Sequence, residues 1–255
     1  MKKLLLLFLY CLSFKVFSQG APACPNITAG PTQTICQGQS ATLTSTLVTS
    51  YATTSYSVSS IPYSPYPYTG TAINVGLDDI WSPKQNLLFP FCFFGNTYTQ
   101  CVVGANGHIT FNLNKANATD NYPVTTALPS TNDMPGNTIN AVFRDIDPEL
   151  GGSTYYQTGG TSPCRYVVIS WVNIPLYNKG SGTCNGTPNS TFQMVLYENT
   201  NYIDVYIQNS YSCSQWEGGR GIVGIQNSAA NVAVCPPGRN NTTFSVNGTP
   251  DAWLV

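Results

Sequence analysis

Between Phe91 and Asn112 the chain reads FCFFGNTYTQCVVGANGHITFN: three apolar, partly alternating runs separated by Gly95-Asn96 and Asn106-Gly107. Tight hairpin turns require positive φ angles, which Gly and Asn adopt at low cost. The segment therefore predicts three consecutive antiparallel strands. A hairpin centred on Asn96-Thr97 would set Cys92 opposite Cys101, at a Cβ separation that a disulfide can bridge.

Later segments repeat the signal. Arg165 to Val172 (RYVVISWV) is continuously apolar at its centre, as in a strand buried on both faces. Val167, Ile169 and Trp171 share one face of it, which predicts Trp171 buried between two sheets. Thr191–Tyr197 and Tyr202–Gln208 alternate on either side of Glu198-Asn199-Thr200-Asn201 and predict a hairpin. In its second strand Ile203, Val205 and Ile207 face inward, leaving Asp204, Tyr206 and Gln208 outward and Tyr206 as a surface aromatic for stacking. Gly221–Asn227 adds a strand, and Thr242–Val246 reads as the last. Tyr63–Tyr68 (YSPYPY) has polyproline character and reads as a loop laid across a sheet rather than a recognition ligand. No stretch shows capped helical periodicity. The fold class is all-β, a single antiparallel β-sandwich of about 200 residues, with disulfides and a short N-terminal β-rich arm.

Lys2 and Lys3, the apolar run Leu4–Leu12 and the following Ser18, Gln19 and Gly20 have the order of a secretory signal peptide, residues 1–18. The apolar run is shorter than the roughly 20 residues a spanning helix needs, and no later segment is long enough to anchor the chain. Residues 19–55 form an arm, read either as an immunoglobulin-like fragment packed on the body or as a linker. Residues 56–255 form the main domain. Of nine cysteines, Cys11 falls in the signal. The remaining Cys24, Cys36, Cys92, Cys101, Cys164, Cys184, Cys213 and Cys235 read as a disulfide framework in an exported chain. Zinc would want Cys-x-x-Cys pairs or more than the one histidine present. Cys24 with Cys36 closes a short loop in the arm. The last four pair in one of three ways, of which Cys184–Cys213 with Cys164–Cys235 is preferred because it joins the loops flanking the 191–208 hairpin. Only 8% of residues are charged, and without Lys2, Lys3 and Lys15 seven basic residues face eleven acidic ones, a net charge of −4. Nothing neutralises phosphates, which argues against a nucleic-acid partner.

The order of Phe91–Gly95, Gly104–Asn112, Phe143–Pro148 (FRDIDP), Tyr155-Tyr156, Val167–Pro175, Phe192–Glu198 and Val223–Asn227 resembles the nidogen-like extracellular domain. The resemblance runs from about Tyr56 to Trp253. It is closer still to a bacterial branch found in large secreted proteins linked to gliding motility, which carry phrases similar to Pro163-Cys164-Arg165, Gln193–Glu198, Tyr206–Asn209 and Pro237–Asn240. The resemblance implies a secreted or cell-surface, non-enzymatic adhesion or interaction module whose partner is an extracellular protein or glycan. The alternative is a carbohydrate-binding module.

The residues themselves offer little catalytic chemistry. His108 is the single histidine and has no nucleophile in a recognisable relation to it. Glu198 and Glu217 are candidates for a glycosidase pair, which needs carboxyls about 5 Å apart in retaining enzymes, but both sit in turn-like contexts. No catalytic residue is assigned. One metal site is: Asp145, Asp147 and Glu149 alternate along an extended segment before Pro148 and Gly151-Gly152 turn the chain. Three carboxylates on one side would suit calcium, a possible cofactor that exported proteins meet at millimolar levels. The competing reading is an ordinary Asp-Pro turn, with Arg144 neutralising an acid.

Overall fold

Leu87, Phe89, Phe91 and Phe93 occupy every second position, and a strand directs such residues to one side. In the computed structural model all four are buried in one core shared by two antiparallel sheets. The structure describes residues 27–29, 33–47, 52–73, 77–177 and 184–255; the signal segment and Cys24 lie outside them. In chain order the strands are β1 (Ile27–Ala29), β2 (Ser45–Leu47), β3 (Ser59–Ser60), β4 (Thr71–Ile73), β5 (Gln85–Phe93), β6 (Asn96–Val103), β7 (His108–Thr110), β8 (Thr138–Phe143), β9 (Ser153–Gly159), β10 (Tyr166–Ile174), β11 (Ser190–Tyr197), β12 (Ile203–Asn209), β13 (Arg220–Gln226), β14 (Ala233–Val234), β15 (Asn240–Thr243) and β16 (Asp251–Leu254). One sheet runs β3-β16-β12-β11-β10-β9-β4 and the other β14-β13-β8-β7-β6-β5, with β15 also on β13. The expected sandwich is what forms. The strand expected at Thr242–Val246 is β15, shifted toward Asn240, and a further strand, β16, follows it.

The arm is a separate two-stranded sheet in which Ile27 pairs with Leu47, and the described residues 33–44 are exposed. Thr53 is tied to the body: its carbonyl accepts from Gly95 N at 2.7 Å and its hydroxyl oxygen accepts from Asn201 Nδ2 at 3.0 Å.

Alternation along β10 sends Val167, Ile169 and Trp171 into the central core, where they meet Phe192, Met194 and Leu196 of β11. The opposite face of this sheet is also covered. Val168, Val195, Tyr197, Tyr206 and Ala252 form a second layer against Ile61, Tyr63 and Tyr66. The Pro/Tyr segment is thus a strap laid across the sheet. Its backbone is clamped by Gln193, which accepts from Tyr66 N at 2.8 Å and donates to Tyr66 O at 3.1 Å. The expectation of an outward-facing, solvated Tyr206 is corrected by this strap. Tyr206 is buried under Tyr63, ring centroids 6.0 Å apart, and its hydroxyl donates to Asp204.

The disulfide expectations need correction in the same way. Cys184–Cys213 is formed, and Cys164 is also disulfide-bonded. Cys36, Cys92, Cys101 and Cys235 are free thiols, so the Cys92–Cys101, Cys164–Cys235 and Cys24–Cys36 pairings do not exist. For the hairpin the reason is register. Its two-residue turn is Phe94-Gly95, both with positive φ (46° and 79°), two positions earlier than expected. Cys92 then faces Thr97, and an irregularity between Asn86 and Phe91 leaves Cys101 opposite Gln85. Cys235 packs instead against a small cluster of Val124, Leu128, Met134, Phe143 and Ile222. Burial pushes the thiols of Cys101 and Cys235 up to about 12, which keeps them protonated.

Trp171 has no exposed surface, stacks on Phe192 at 5.4 Å and donates from Nε1 to Gly104 O at 3.1 Å. Trp171→Ala is predicted to cost about 3–5 kcal/mol. For a domain of this size that lowers the Tm by roughly 10 °C. Thermal unfolding followed by circular dichroism checks this, with Trp171→Phe as the milder control; a wild-type Tm for the alanine variant would contradict the burial.

Candidate functional site

The turn Gly104-Ala105-Asn106-Gly107 joins β6 to β7 and presses into β8. Gly107 sits at φ 84°, and a Cβ there would meet Val142 O at 2.0 Å, so only glycine fits. The Gly107 carbonyl accepts from Ala141 N and Val142 N, at 3.1 and 3.3 Å. Asn106 is fully buried as a result and spends its amide on three other segments. Nδ2 donates to Asp79 Oδ1 at 2.8 Å and to Asn121 O at 3.2 Å, while Oδ1 accepts from Ile146 N at 3.0 Å.

His108 follows this turn. Its Nε2 lies 2.8 Å from both oxygens of Asp120, and neither side chain has exposed surface. The ring is stacked between Trp81 at 4.5 Å and Phe143 at 4.6 Å. Gly104 makes room for the pair, since a Cβ there would fall 2.3 Å from the imidazole and 2.4 Å from Asp120 Oδ2. This is a structural hydrogen-bonded pair sealed inside the fold.

Beside it the chain assembles a cluster of acids. Asp78, Asp79 and Asp145 each bring a carboxylate oxygen to within 4.8 Å of the others. Asp79 is held by Asn106. Asp145 accepts from Trp216 Nε1 at 2.8 Å through Oδ2. Asp78 and Asp79 are half-buried, Asp145 almost wholly so. Burial, reinforced by Asp79 and Asp147, pushes the Asp78 carboxyl up to about 7. Burial likewise pushes Asp145 up to about 8 against the Trp216 hydrogen bond, with Asp79 and Asp78 adding to the rise.

The expected site thus contributes one member of three. Asp147 caps the 3-10 turn Pro148–Leu150, its Oδ1 accepting from Glu149 N at 2.8 Å, and Glu149 is exposed. The turn ends the extended backbone on which alternation depended before Glu149, and the carboxylates grouped with Asp145 are those of Asp78 and Asp79. Arg144 does not neutralise them. Its buried guanidinium donates to the carbonyls of Arg220, Tyr211 and Phe244 and to Ser210 Oγ. The missing members, Asp78 and Asp79, are adjacent acids in a chain with few charges; that scarcity is the signal that could have marked them.

Glu198 and Glu217 fall in different surroundings. Glu217 opens a short 3-10 turn beside Trp216. Glu198 borders a cavity of about 200 Å³ walled by Pro90, Cys92, Thr97, Pro163 and Asn201. Its carboxylate is consumed by Arg165, accepting from the backbone N at 3.0 Å, Nε at 2.9 Å and Nη2 at 2.5 Å.

The family described as NIDO related matches residues 50–252, which takes in both sheets and the acid-lined end. The chain belongs to the NIDO-related family. The nidogen-like resemblance of the sequence is therefore shown for most of the chain. No curated protein and no solved structure matches this NIDO-related domain. Among its described residues no helix is long and apolar enough to cross a membrane.

The Arg165 side chain holds the Glu198 carboxyl below its ordinary value of 4.5. A depressed folded-state pKa contributes stability that is present above the unfolded value and lost as pH falls through the folded one. The Tm of the wild-type domain is therefore expected to drop between about pH 5 and pH 3 more steeply than that of Glu198→Gln. Parallel melts across that range check this, and identical pH profiles would remove the clamp from the stability of the fold.

Proposed function

We propose that the chain is an exported, non-enzymatic interaction module of the cell surface, an adhesion domain for an extracellular protein or glycan. The observation that carries this reading is the extent of the NIDO-related match, residues 50–252. Nearly the whole of the described body is that module. The groups best suited to catalysis add support. Nε2 of His108 is committed to Asp120 between two aromatic rings, and Glu198 is committed to Arg165. Reactive side chains locked into structural bonds suit a scaffold that recognises by its surface. The phrases Pro163-Cys164-Arg165, Gln193–Glu198 and Pro237–Asn240 extend the proposal to a role at the surface of a gliding bacterium.

The full chain, purified from an exporting host and immobilised, is to be offered extracellular surface proteins and a glycan array. The expected outcome is saturable binding to a protein partner that leaves the ligand unchanged. Saturable sugar binding alone would assign a carbohydrate-binding module instead. Turnover of a glycan, abolished in Glu198→Gln or Glu217→Gln, would overturn the non-enzymatic reading.

A further inference from the structure

Other buried acids in this molecule are supplied with donors; of these Asp204 alone also has a bare oxygen, Oδ1, but it belongs to no carboxylate cluster among the described residues. Asp120 receives His108 and Asn106 N, and Asp133 receives Thr125 N, Thr125 Oγ1 and Thr126 N. The cluster of Asp78, Asp79 and Asp145 differs. Among the described residues no ion pair involves any of the three. Asp145 is 2% exposed; Trp216 satisfies its Oδ2, but Oδ1 is buried with no hydrogen-bond partner. A bare acceptor in the interior is costly, the more so when charged. Here it stands in a group whose carboxylate oxygens lie within 4.8 Å of one another. Asp147 adds negative field from the neighbouring turn.

We propose that Asp78, Asp79 and Asp145 bind a calcium ion. The donor set is all carboxylate oxygen, which suits a hard cation rather than a transition metal, and the single imidazole is occupied at Nε2 by Asp120. Calcium takes oxygens at about 2.3–2.6 Å, so ligands on opposite sides of one ion stand about 4.6–5.2 Å apart. The observed spacing falls inside that reach. Asp78 and Asp79 are half-buried, which leaves a solvent side for entry and for the waters that complete six to eight ligands. Magnesium, which dehydrates reluctantly and demands a strict octahedron, fits less well. Two neighbours orient the ligands from behind, Asn106 on Asp79 and Trp216 on Asp145. The ion would join the 77–81 loop to the segment leaving β8. This site stands on its own geometry and does not depend on the adhesion reading.

The test is calorimetry on the full chain after chelation, with melts in parallel. Calcium is expected to bind at one site with a Kd on the order of 0.1–1 mM, the range of extracellular modules. At 10 mM it should raise the Tm by about 4 °C, and magnesium at that concentration should raise it less. Terbium should show emission excited through indole, since Trp216 bonds a ligand directly, and calcium should quench it. Asp145→Asn, which keeps the shape and the bond from Trp216, and half-buried Asp78→Asn are each expected to weaken binding at least tenfold; the second serves if the first fails to fold. A Tm identical in calcium and chelator with no calorimetric heat overturns the proposal. So does binding that survives both substitutions.

Discussion

One turn organises an entire end of this sandwich. The left-handed backbone of Gly107 brings its carbonyl onto two amides of β8 and forces Asn106 into the interior. A buried amide must be satisfied, and this one is satisfied only by chain that would otherwise be loop. Asp79, Asn121 and Ile146 come from three separate connections, and Asn106 binds all of them. Arg144 N also donates to the Asn106 carbonyl, at 3.3 Å, so the exit of β8 is fixed by the same residue. The convergence of Asp79 and Asp145 follows: each is one bond or one residue from the same side chain.

Burial on both faces of β10, β11 and β12 imposes a second constraint. A strand with two covered faces must carry polar residues that find partners inside the protein. Gln193 bonds the Tyr66 backbone and Ser170, and Asp204 receives the hydroxyls of Tyr197 and Tyr206. The strap supplies both the cover and some of these partners. It therefore acts as a third layer, which accounts for tyrosines beneath it whose polar tips need an acceptor. Burial raises the Asp204 carboxyl despite the two hydroxyl donors.

What could be read from the chain was whatever depends on local period. The three runs around Gly95 and Asn106, the inward face of Val167, Ile169 and Trp171, and the 191–208 hairpin all follow from alternation and turn chemistry. What could not be read depends on chain brought from afar. Tyr206 is covered by residues some 140 positions earlier, and no property of its own strand announces that. Cys92 and Cys101 fail to meet because the turn lies at Phe94-Gly95 and the ladder is broken between Asn86 and Phe91. Phe in a left-handed turn position contradicts its own preference, so local signals pointed two residues too late. The acids at 78 and 79 join Asp145 through a turn neither belongs to, and spacing along the chain carries no trace of it.

The Cys184–Cys213 bond gives the same end of the molecule its covalent support. The bond joins residues 29 positions apart and encloses the β11–β12 hairpin, a closure worth about 3–4 kcal/mol on a chain-entropy account. Its more specific effect is on the segment after β12. Trp216 N donates to the Cys213 carbonyl at 3.0 Å, and Gly219 N returns to Trp216 O at 2.8 Å. The indole is thereby held within one short turn of the disulfide, with the Tyr177 ring 5.1 Å away on its flank. From there Nε1 reaches Asp145 and fixes one oxygen while leaving the other bare. The staple and the Asn106 turn thus act on the acid cluster from two directions. One sets where Asp79 and the backbone of residue 146 lie, and the other sets how Asp145 is rotated. A disulfide is favoured in an oxidising compartment, so the second of these constraints is complete only where Cys184 and Cys213 are oxidised.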